Sequence, residues 1–263
     1  MKLYAISDTH GILEHIRLTE PVDVLCIAGD WSPLKYQSNT KEMKRWIQNT
    51  FIPWLQKQPA NHIIFIAGNH DFVTETPGFE EWINDLLRDT NIHYLCNSSI
   101  TLYDTTFWGC PYSDLPNWAW YSGGNPKSYE PPEGTDIMIV HAAPDWNKVG
   151  TAWLKYRGEC NFGSGYLTAA LQSSKVLPKL LLCGHIHSGD HAPSLMGNPN
   201  DGECLILNVA SKNEEYMEWY DPALITFTMT TDKTATAITV EHWYKDELVD
   251  TTTEIIHTPL KLA

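Results

Sequence analysis

Five apolar segments of the sequence each end in side chains that bind metal ions or transfer protons. Carboxylate, amide and imidazole groups are ligands that divalent ions accept in proteins. Seven such groups exceed what one ion needs, so the sequence predicts a site for two ions. Two ions about 4 Å apart can hold a phosphoryl group, activate water and stabilise the leaving oxygen. The seven candidate ligands are Asp8, His10, Asp30, Asn69, His141, His185 and His187.

The elements that must position these residues are predicted to be buried strands. Each apolar segment is short, continuous and followed by a breaker or a polar residue, which is typical of a strand in a covered sheet. Gly68, for example, permits a tight turn after its strand. Ligands of open α/β sheets bind beyond the carboxyl ends of the strands, so the five ends are expected to meet in one crevice. The segments are 2–7, 22–28, 62–67, 136–140 and 179–183.

The remaining segments predict helices and further strands around this framework. A helix is expected from Thr40, with a kink or break at Pro53, which lies inside its apolar pattern. Further helices are expected over 79–87 and 166–171. Short strands are predicted at 92–95, 99–103, 106–108, 203–209, 223–229 and 235–243.

Two long segments without periodicity are predicted to cover the candidate site. They comprise residues 111–134 and 144–163, and their aromatic side chains argue against disorder. The segment 244–263 is rich in Thr and is expected to form a peripheral tail. Asn208 either supports a metal-binding loop or forms a turn at a strand end. The whole chain, 1–263, is interpreted as a single domain.

Composition and charge limit the classes of function. The chain has 263 residues, of which 43% are apolar and 19% are charged, as expected for a globular protein. Its net charge of −14 disfavours binding to extended nucleic acid. We find no secretory signal and no apolar run of membrane-spanning length. The six scattered Cys residues indicate reduced thiols, so a cytoplasmic location is expected. The oligomeric state stays open.

The complete set of motifs resembles that of the calcineurin-like metallophosphoesterases. The motifs span about the first three quarters of the chain. Their order and approximate spacing agree with those of the family. The motifs are Asp8-Thr9-His10, Gly29-Asp30, Gly68-Asn69-His70-Asp71, His141 and Gly184-His185-Ile186-His187. The resemblance implies an α/β fold, a four-layer αββα sandwich with a dinuclear site at the carboxyl ends of the strands. It also implies two divalent or trivalent ions, drawn from Mn, Fe, Zn and Ni.

The resemblance further assigns roles to single residues. Asp8, His10 and His187 would hold one ion, Asn69, His141 and His185 the other, and Asp30 would bridge them. His70 would face the phosphoryl group and protonate the leaving oxygen. Asp71 would orient the imidazole of His70, as partners of catalytic and metal-binding histidines commonly do.

Departures from the family pattern favour its phosphodiesterase branch. The protein phosphatases carry an Arg after the Gly-Asp motif and another before Gly-Asn-His. Here the sequence after Asp30 is Trp31-Ser32-Pro33-Leu34, and Ala67 precedes Gly68. The two Arg that clamp a phosphate are therefore missing, and the motif forms are similar to those of small cyclic-nucleotide phosphodiesterases.

The predicted function is metal-dependent hydrolysis of a phosphodiester or phosphomonoester of a small molecule such as a nucleotide. Trp31, Trp118 and Trp146 lie in loops that follow or flank the ligand-bearing strands, and they are candidates to stack on a base. Two alternatives stay open at this point. One is a nuclease of the same superfamily, and the other is an interaction scaffold without activity.

Overall fold

Two β-sheets packed face to face form the centre of the molecule. The computed structural model describes residues 1–198, 202–212, 219–231, 235–244 and 247–257. The first sheet has the strand order β15-β14-β13-β1-β2-β3-β4. Its strands are β1 (Lys2–Ile6), β2 (Val22–Ile27), β3 (Ala60–Phe65), β4 (Ile92–Tyr94), β13 (Ala223–Met229), β14 (Thr236–Tyr244) and β15 (Glu247–Ile256).

The second sheet has the order β11-β12-β10-β7-β6-β5. Its strands are β5 (Ser98–Leu102), β6 (Thr105–Cys110), β7 (Ile137–Val140), β10 (Leu180–Cys183), β11 (Ser194–Asn198) and β12 (Gly202–Asn208). Strands β1 to β4 run parallel in the first sheet, and β6, β7, β10 and β12 run parallel in the second. A separate hairpin pairs β8 (Thr151–Leu154) with β9 (Gly158–Asn161).

Helices cover the outer face of each sheet. They are α1 (Thr40–Trp46), α2 (Ile52–Leu55), α3 (Phe79–Leu87) and α4 (Gly165–Ser173). Leu3, Val24 and Ile64 of the first sheet pack against Ile139 and Leu182 of the second, which forms the central core. Two further apolar clusters lie under α1–α3 and under α4. The predicted four-layer αββα sandwich is therefore confirmed.

The helix expected from Thr40 continues past the position where Pro53 would break it. A π-helical segment, Ile47–Phe51, joins α1 to α2, and Pro53 is the second residue of α2. Proline lacks a backbone N–H, and a wider π turn absorbs that loss without ending the helix.

The two segments expected to cover the site are structured. The first contains a short 3₁₀ helix, Pro126–Tyr129, and the second contains the β8–β9 hairpin. The segment from 244 onward contributes the edge strand β15, whose Ile256 is buried in the central core. Residues 245–246 and 258–263 of that segment lie outside the described part of the chain. None of the described helices combines the length and apolarity that crossing a membrane requires.

Candidate metal centre

Four of the candidate ligands have an unusual backbone conformation just beyond the end of a strand. Asp8, His10, Asp30 and His185 have φ values of 57°, 46°, 52° and 68°. Residues other than Gly rarely adopt this left-handed region, and such conformations cluster at functional sites. Each one turns the chain sharply at the carboxyl end of β1, β2 or β10, so the side chains converge at one edge of the two sheets.

The first group of ligands consists of Asp8, His10 and His187. Their candidate ligand atoms all lie within 4.8 Å of one another. The Nε2 atoms of His10 and His187 are 3.3 Å apart, and His187 Nε2 is 3.3 Å from Asp8 Oδ1. All three side chains are buried.

The second group consists of Asp30, His141 and His185, whose ligand atoms also lie within 4.8 Å of one another. His141 Nε2 is 2.9 Å from Asn69 Oδ1 and 3.3 Å from Asp30 Oδ2. The other ring nitrogen, Nδ1, lies 2.9 Å from the carbonyl of Ala28, which can only accept a hydrogen bond. The structure thus places the Asn69 side chain beside the second group.

The chemistry of the donor set fits metal ions. Because Nδ1 of His141 donates to Ala28, its Nε2 lone pair faces two oxygen atoms when the ring is neutral. Three electron-rich atoms in one buried place require a cation between them or a proton on the ring. Imidazole, carboxylate and amide oxygen together suit borderline transition ions such as Mn²⁺, Fe²⁺ and Zn²⁺.

The electrostatics of the protein alone also favour a cation. Burial would raise the pKa of Asp8, but the hydrogen bond and charge of His187 outweigh it and hold the pKa below the usual range. Burial likewise opposes the protonation of His141, yet the charge of Asp30 raises the pKa of His141 to about 9. Two ionised carboxylates therefore attract positive charge to the centre.

Other ligands keep their lone pairs available. Burial lowers the pKa of His10 to about 3 and that of His185 to about 4. Both imidazoles are therefore neutral at neutral pH, which is the form that coordinates metal ions.

Two glycines allow the loops to approach the ligands. A Cβ atom on Gly68 would lie 2.7 Å from the backbone nitrogen of Asp30 and 2.7 Å from Cε1 of His141. A Cβ atom on Gly184 would overlap the side chains of Ser7 and Asp8. Only hydrogen fits at these two positions, which explains why glycine precedes Asn69 and His185 in the sequence.

Asn208 supports the loop that carries His185 and His187. Its side-chain amide donates to the carbonyl of Ile186 at 2.8 Å and to the carbonyl of Val149 at 3.2 Å. Its side-chain oxygen also accepts the backbone N–H of Ala210 at 3.0 Å, which forms a turn at the end of β12. Both interpretations of Asn208 from the sequence therefore describe contacts that this side chain makes.

His70 lies at the edge of the centre. Its ring is 4.8 Å from that of His10, and its Nε2 is 3.9 Å from Asp30 Oδ2. The ligand atoms of His10, Asp30 and His70 also fall within 4.8 Å of one another. Its backbone N–H donates to Asp30 Oδ1 at 2.7 Å. His70 can thus reach the same space as the candidate ions.

Asp71 does not orient His70, which corrects the expectation from the sequence. Its carboxylate accepts backbone N–H groups of Asp30, Ser32 and Gly68 at 2.7 to 3.0 Å. It therefore ties together the two loops that follow β2 and β3. The partner of the His70 ring is Gln37, whose Oε1 is 2.9 Å from Nδ1. Sequence reasoning missed Gln37 because no motif or periodicity marks it.

The three candidate tryptophans occupy different environments. Trp118 lies at the site, with its ring centroid 4.5 Å from that of His70. Trp31 is fully buried, stacks on Phe51 and donates to the carbonyl of Ile66 at 2.9 Å. A substrate cannot contact Trp31 there, so its assignment to substrate binding is wrong.

Trp146 is also placed away from the centre. It donates to the carbonyl of Leu195 at 3.2 Å. It lines a separate cavity of about 360 Å³ together with Leu171 and Met196, and none of the seven candidate ligands lines that cavity. A stacking role for Trp146 against a metal-bound substrate is therefore not supported.

A cavity of about 340 Å³ adjoins the candidate metal centre and is lined in part by His185. Most of its wall is apolar, and Asp114 and Ser164 supply polar groups. The oxygens of Asp114 are already engaged by the hydroxyl groups of Ser122, Tyr129 and Ser164. The apolar lining residues are Leu115, Ala142, Ala143, Ala152, Leu154, Phe162 and Ile186.

Comparisons with known proteins agree with this geometry. The sequence model described as calcineurin-like phosphoesterase matches residues 1–189. A UPF0046 protein of Caenorhabditis elegans is 26% identical, over 89% of this chain and 83% of its own length. The human metallophosphoesterase domain-containing protein 1 is 26% identical, over 85% of this chain and 70% of its own length.

A solved archaeal phosphodiesterase is similar over 91% of this chain and 99% of its own, with 18% identity and a TM-score of 0.41. That structural similarity is too low to add to the family match. The match to residues 1–189 ends just beyond His187, so it includes every candidate ligand.

Proposed function

The chain belongs to the calcineurin-like phosphoesterase family, and we propose that it is a dinuclear metal-dependent hydrolase of phosphodiesters of small molecules. The observation that carries this proposal is the position of Asp30 between the two ligand groups. Asp30 shares one close set of ligand atoms with His10 and another with His141 and His185. A carboxylate in that position can offer one oxygen to each of two ions.

In this proposal seven side chains would bind the metal ions and one histidine would transfer a proton. Asp8, His10 and His187 would hold one ion, Asn69, His141 and His185 the other, and Asp30 both. Bound there, such ions supply activated water and neutralise charge on the phosphoryl group. His70 would give a proton to the leaving oxygen, since it reaches the centre without being needed as a ligand.

The lining of the cavity beside the centre favours a diester over a monoester. No Lys or Arg is among the described residues that line the cavity beside His185. A phosphomonoester dianion carries one more negative charge than a diester, and that charge would have no side-chain cation there to stabilise it. The net charge of −14 also disfavours a polyanion such as an oligonucleotide.

The apolar cavity is proposed to take the organic group of the substrate. Leu154 and Phe162 of the hairpin segment and Leu115 of the preceding loop form its outer wall. Trp118, whose ring centroid lies 4.5 Å from that of His70, offers a further aromatic surface at the centre. An aryl group or a nucleobase would bury apolar area in such a cavity.

The experiment that tests this function is a comparison of kcat/KM at fixed metal and salt. The substrates are a nitrophenyl diester, a nitrophenyl monoester, a cyclic nucleotide, a phosphopeptide and an oligonucleotide. We expect one of the small diesters to lead. A tenfold lead for the phosphopeptide or the oligonucleotide, about 1.4 kcal/mol, would reject the proposal. Asp30→Asn protein prepared in parallel shows whether a contaminating enzyme causes the activity.

A matched pair of variants tests the cavity. Phe162 lines it, whereas Trp153 lies on the same hairpin, 69% exposed and outside its lining. Phe162→Ala should raise KM for the preferred diester several-fold, and Trp153→Ala should leave KM unchanged. The same response to both substitutions would mean that the cavity does not bind the substrate.

A further inference from the structure

One side-chain amide holds the imidazole that faces the metal centre. Gln37 lies at the end of the 3₁₀ helix Leu34–Tyr36, in the loop that follows β2. Its Oε1 is 2.9 Å from His70 Nδ1, and both residues are partly buried. The two residues are 33 positions apart in sequence, so this contact depends on the folded loop.

The contact determines which ring nitrogen carries the proton in neutral His70. An amide oxygen only accepts hydrogen bonds, so with Oε1 toward the ring the hydrogen resides on Nδ1. Nε2 is then the nitrogen that faces Asp30 Oδ2, at 3.9 Å.

Other neighbours of His70 do not supply this restraint. The rings of His10 and Trp118 pack against its imidazole, with centroids at 4.8 and 4.5 Å. These ring contacts limit the position of the imidazole but offer no hydrogen bond to Nδ1. The carboxylate of Asp71 is engaged by three backbone N–H groups elsewhere.

We propose that Gln37 is a positioning residue that fixes the ring orientation of His70 and keeps a proton on Nδ1, so that Nε2 points at the leaving group. This inference rests on the proposed function, in which His70 is the proton donor. In that step a hydroxyl oxygen forms a bond to phosphorus and the phosphorus–oxygen bond of the leaving group breaks. His70 enters this step as the imidazolium, with hydrogen on both ring nitrogens. The leaving oxygen keeps the electron pair of the broken bond and takes the proton from Nε2. The ring is then the neutral Nδ1–H form, still hydrogen-bonded to Gln37, and it regains the Nε2 proton from water.

Kinetics of Gln37→Leu test the positioning role. For a diester with an alkyl leaving group, kcat should fall by at least about tenfold, part of the ~10²–10⁴-fold that a general acid contributes. The loss should be much smaller for nitrophenolate, a leaving group that scarcely needs a proton. KM and metal content should not change. Equal losses for both leaving groups, or a loss of metal, would overturn the proposal.

Two further variants separate positioning from a structural role. Gln37→Glu keeps an acceptor in place and should retain most of the kcat that Gln37→Leu loses. If Gln37→Glu is as slow as Gln37→Leu, the amide does not act as an acceptor and the proposal fails. In a His70→Ala background, Gln37→Leu should have no further effect on kcat, since the two residues act as one unit. Gln56→Leu, a change at an exposed glutamine, is the control.

A spectroscopic measurement keeps the proposal separate from the proposed function. Nitrogen chemical shifts of His70 in the zinc-loaded protein report which ring nitrogen is protonated. We expect the Nδ1–H form in the natural protein and a mixture of both forms in Gln37→Leu. The Nε2–H form in the natural protein would overturn the proposal. If the shifts agree and no diester is hydrolysed, the proposed function fails and the positioning contact stands.

Discussion

The Nε2 atoms of His10 and His187 lie 3.3 Å apart, although the two residues are separated by 177 positions in sequence. The carboxylate of Asp8 lies 3.3 Å from the same nitrogen of His187. Two imidazoles and a carboxylate that converge in this way form a ready-made place for one ion, and protonation of both rings would produce repulsion. Asp30 has an equivalent position in the second group, beside His141 and His185.

Substitution of Asp30 should remove more metal than substitution of Asp8. Asp30 is close to ligand atoms of both groups, whereas Asp8 belongs to one. We expect Asp8→Asn to keep about one ion and Asp30→Asn to keep less, as two-ion sites depend on a shared ligand. Metal titration of both proteins measures this. The control is Asp136→Asn, whose carboxylate pairs with Lys179 away from the centre. Equal loss from both variants removes the case for a bridging Asp30.

His70→Ala should lower kcat and leave metal content unchanged. A general acid contributes about 10²–10⁴-fold, so the loss should fall in that range for a poor leaving group and be smaller for nitrophenolate. Elemental analysis beside the kinetics decides the role. Loss of an ion from this variant would make His70 a ligand, an outcome that its closeness to His10 and Asp30 allows.

Gly68→Ala should disturb the centre, whereas Gly165→Ala should not. A Cβ atom at Gly68 would press on the backbone of Asp30 and on the ring of His141, each at 2.7 Å, and such overpacking typically costs about 1–3 kcal/mol. A Cβ atom at Gly165, the first residue of α4, would meet nothing within 4 Å. Thermal unfolding and metal affinity of the two variants measure the difference. Normal metal binding by Gly68→Ala would show that the loops can move apart.

The stability of the metal-free protein should fall in acid, in part because of a histidine pair outside the metal centre. His62 Nδ1 is 3.2 Å from His93 Nε2, on the neighbouring strands β3 and β4. Burial, and then the charge of His62, lowers the pKa of His93 below its ordinary value of about 6.5. The folded state therefore binds fewer protons than the unfolded state below that pH, and stability decreases as the pH falls through this range.

His93→Gln should reduce the acid-dependent loss, because Gln has no proton to gain. The free energy of unfolding in urea, measured between about pH 5 and pH 7.5 with a chelator present, tests this. His15→Gln, a change at an exposed histidine, is the control. An unchanged slope in His93→Gln would contradict a contribution of this histidine pair to the acid sensitivity.

The strands, and the meeting of the polar side chains at their ends, could be predicted from the sequence because one physical pattern encodes both. A short apolar run followed by Asp, Asn or His indicates a buried strand with a polar end, and parallel strands bring such ends together. The left-handed backbone of Asp8 or His185 could not be predicted in this way, since any residue but Gly is uncommon there.

The errors have equally specific causes. Trp31 follows Asp30 directly, which favours contact with a substrate, but a large ring after a strand end can also fold back, and here it packs on Phe51. Asp71 is adjacent to His70 in sequence, which suggests that the two interact. Its carboxylate instead satisfies backbone N–H groups that the sharp turns leave without partners within a strand or helix. Gln37 lies in a loop without periodicity, so only the folded structure identifies it.

The position of bound metal tests the central claim most directly. A crystal of the protein grown with Mn²⁺ and measured at the manganese absorption edge gives an anomalous difference map. We predict two peaks about 4 Å apart, one beside Asp8, His10 and His187, one beside Asn69, His141 and His185, with Asp30 between them. A single peak at full occupancy, or peaks away from these side chains, would contradict the dinuclear centre.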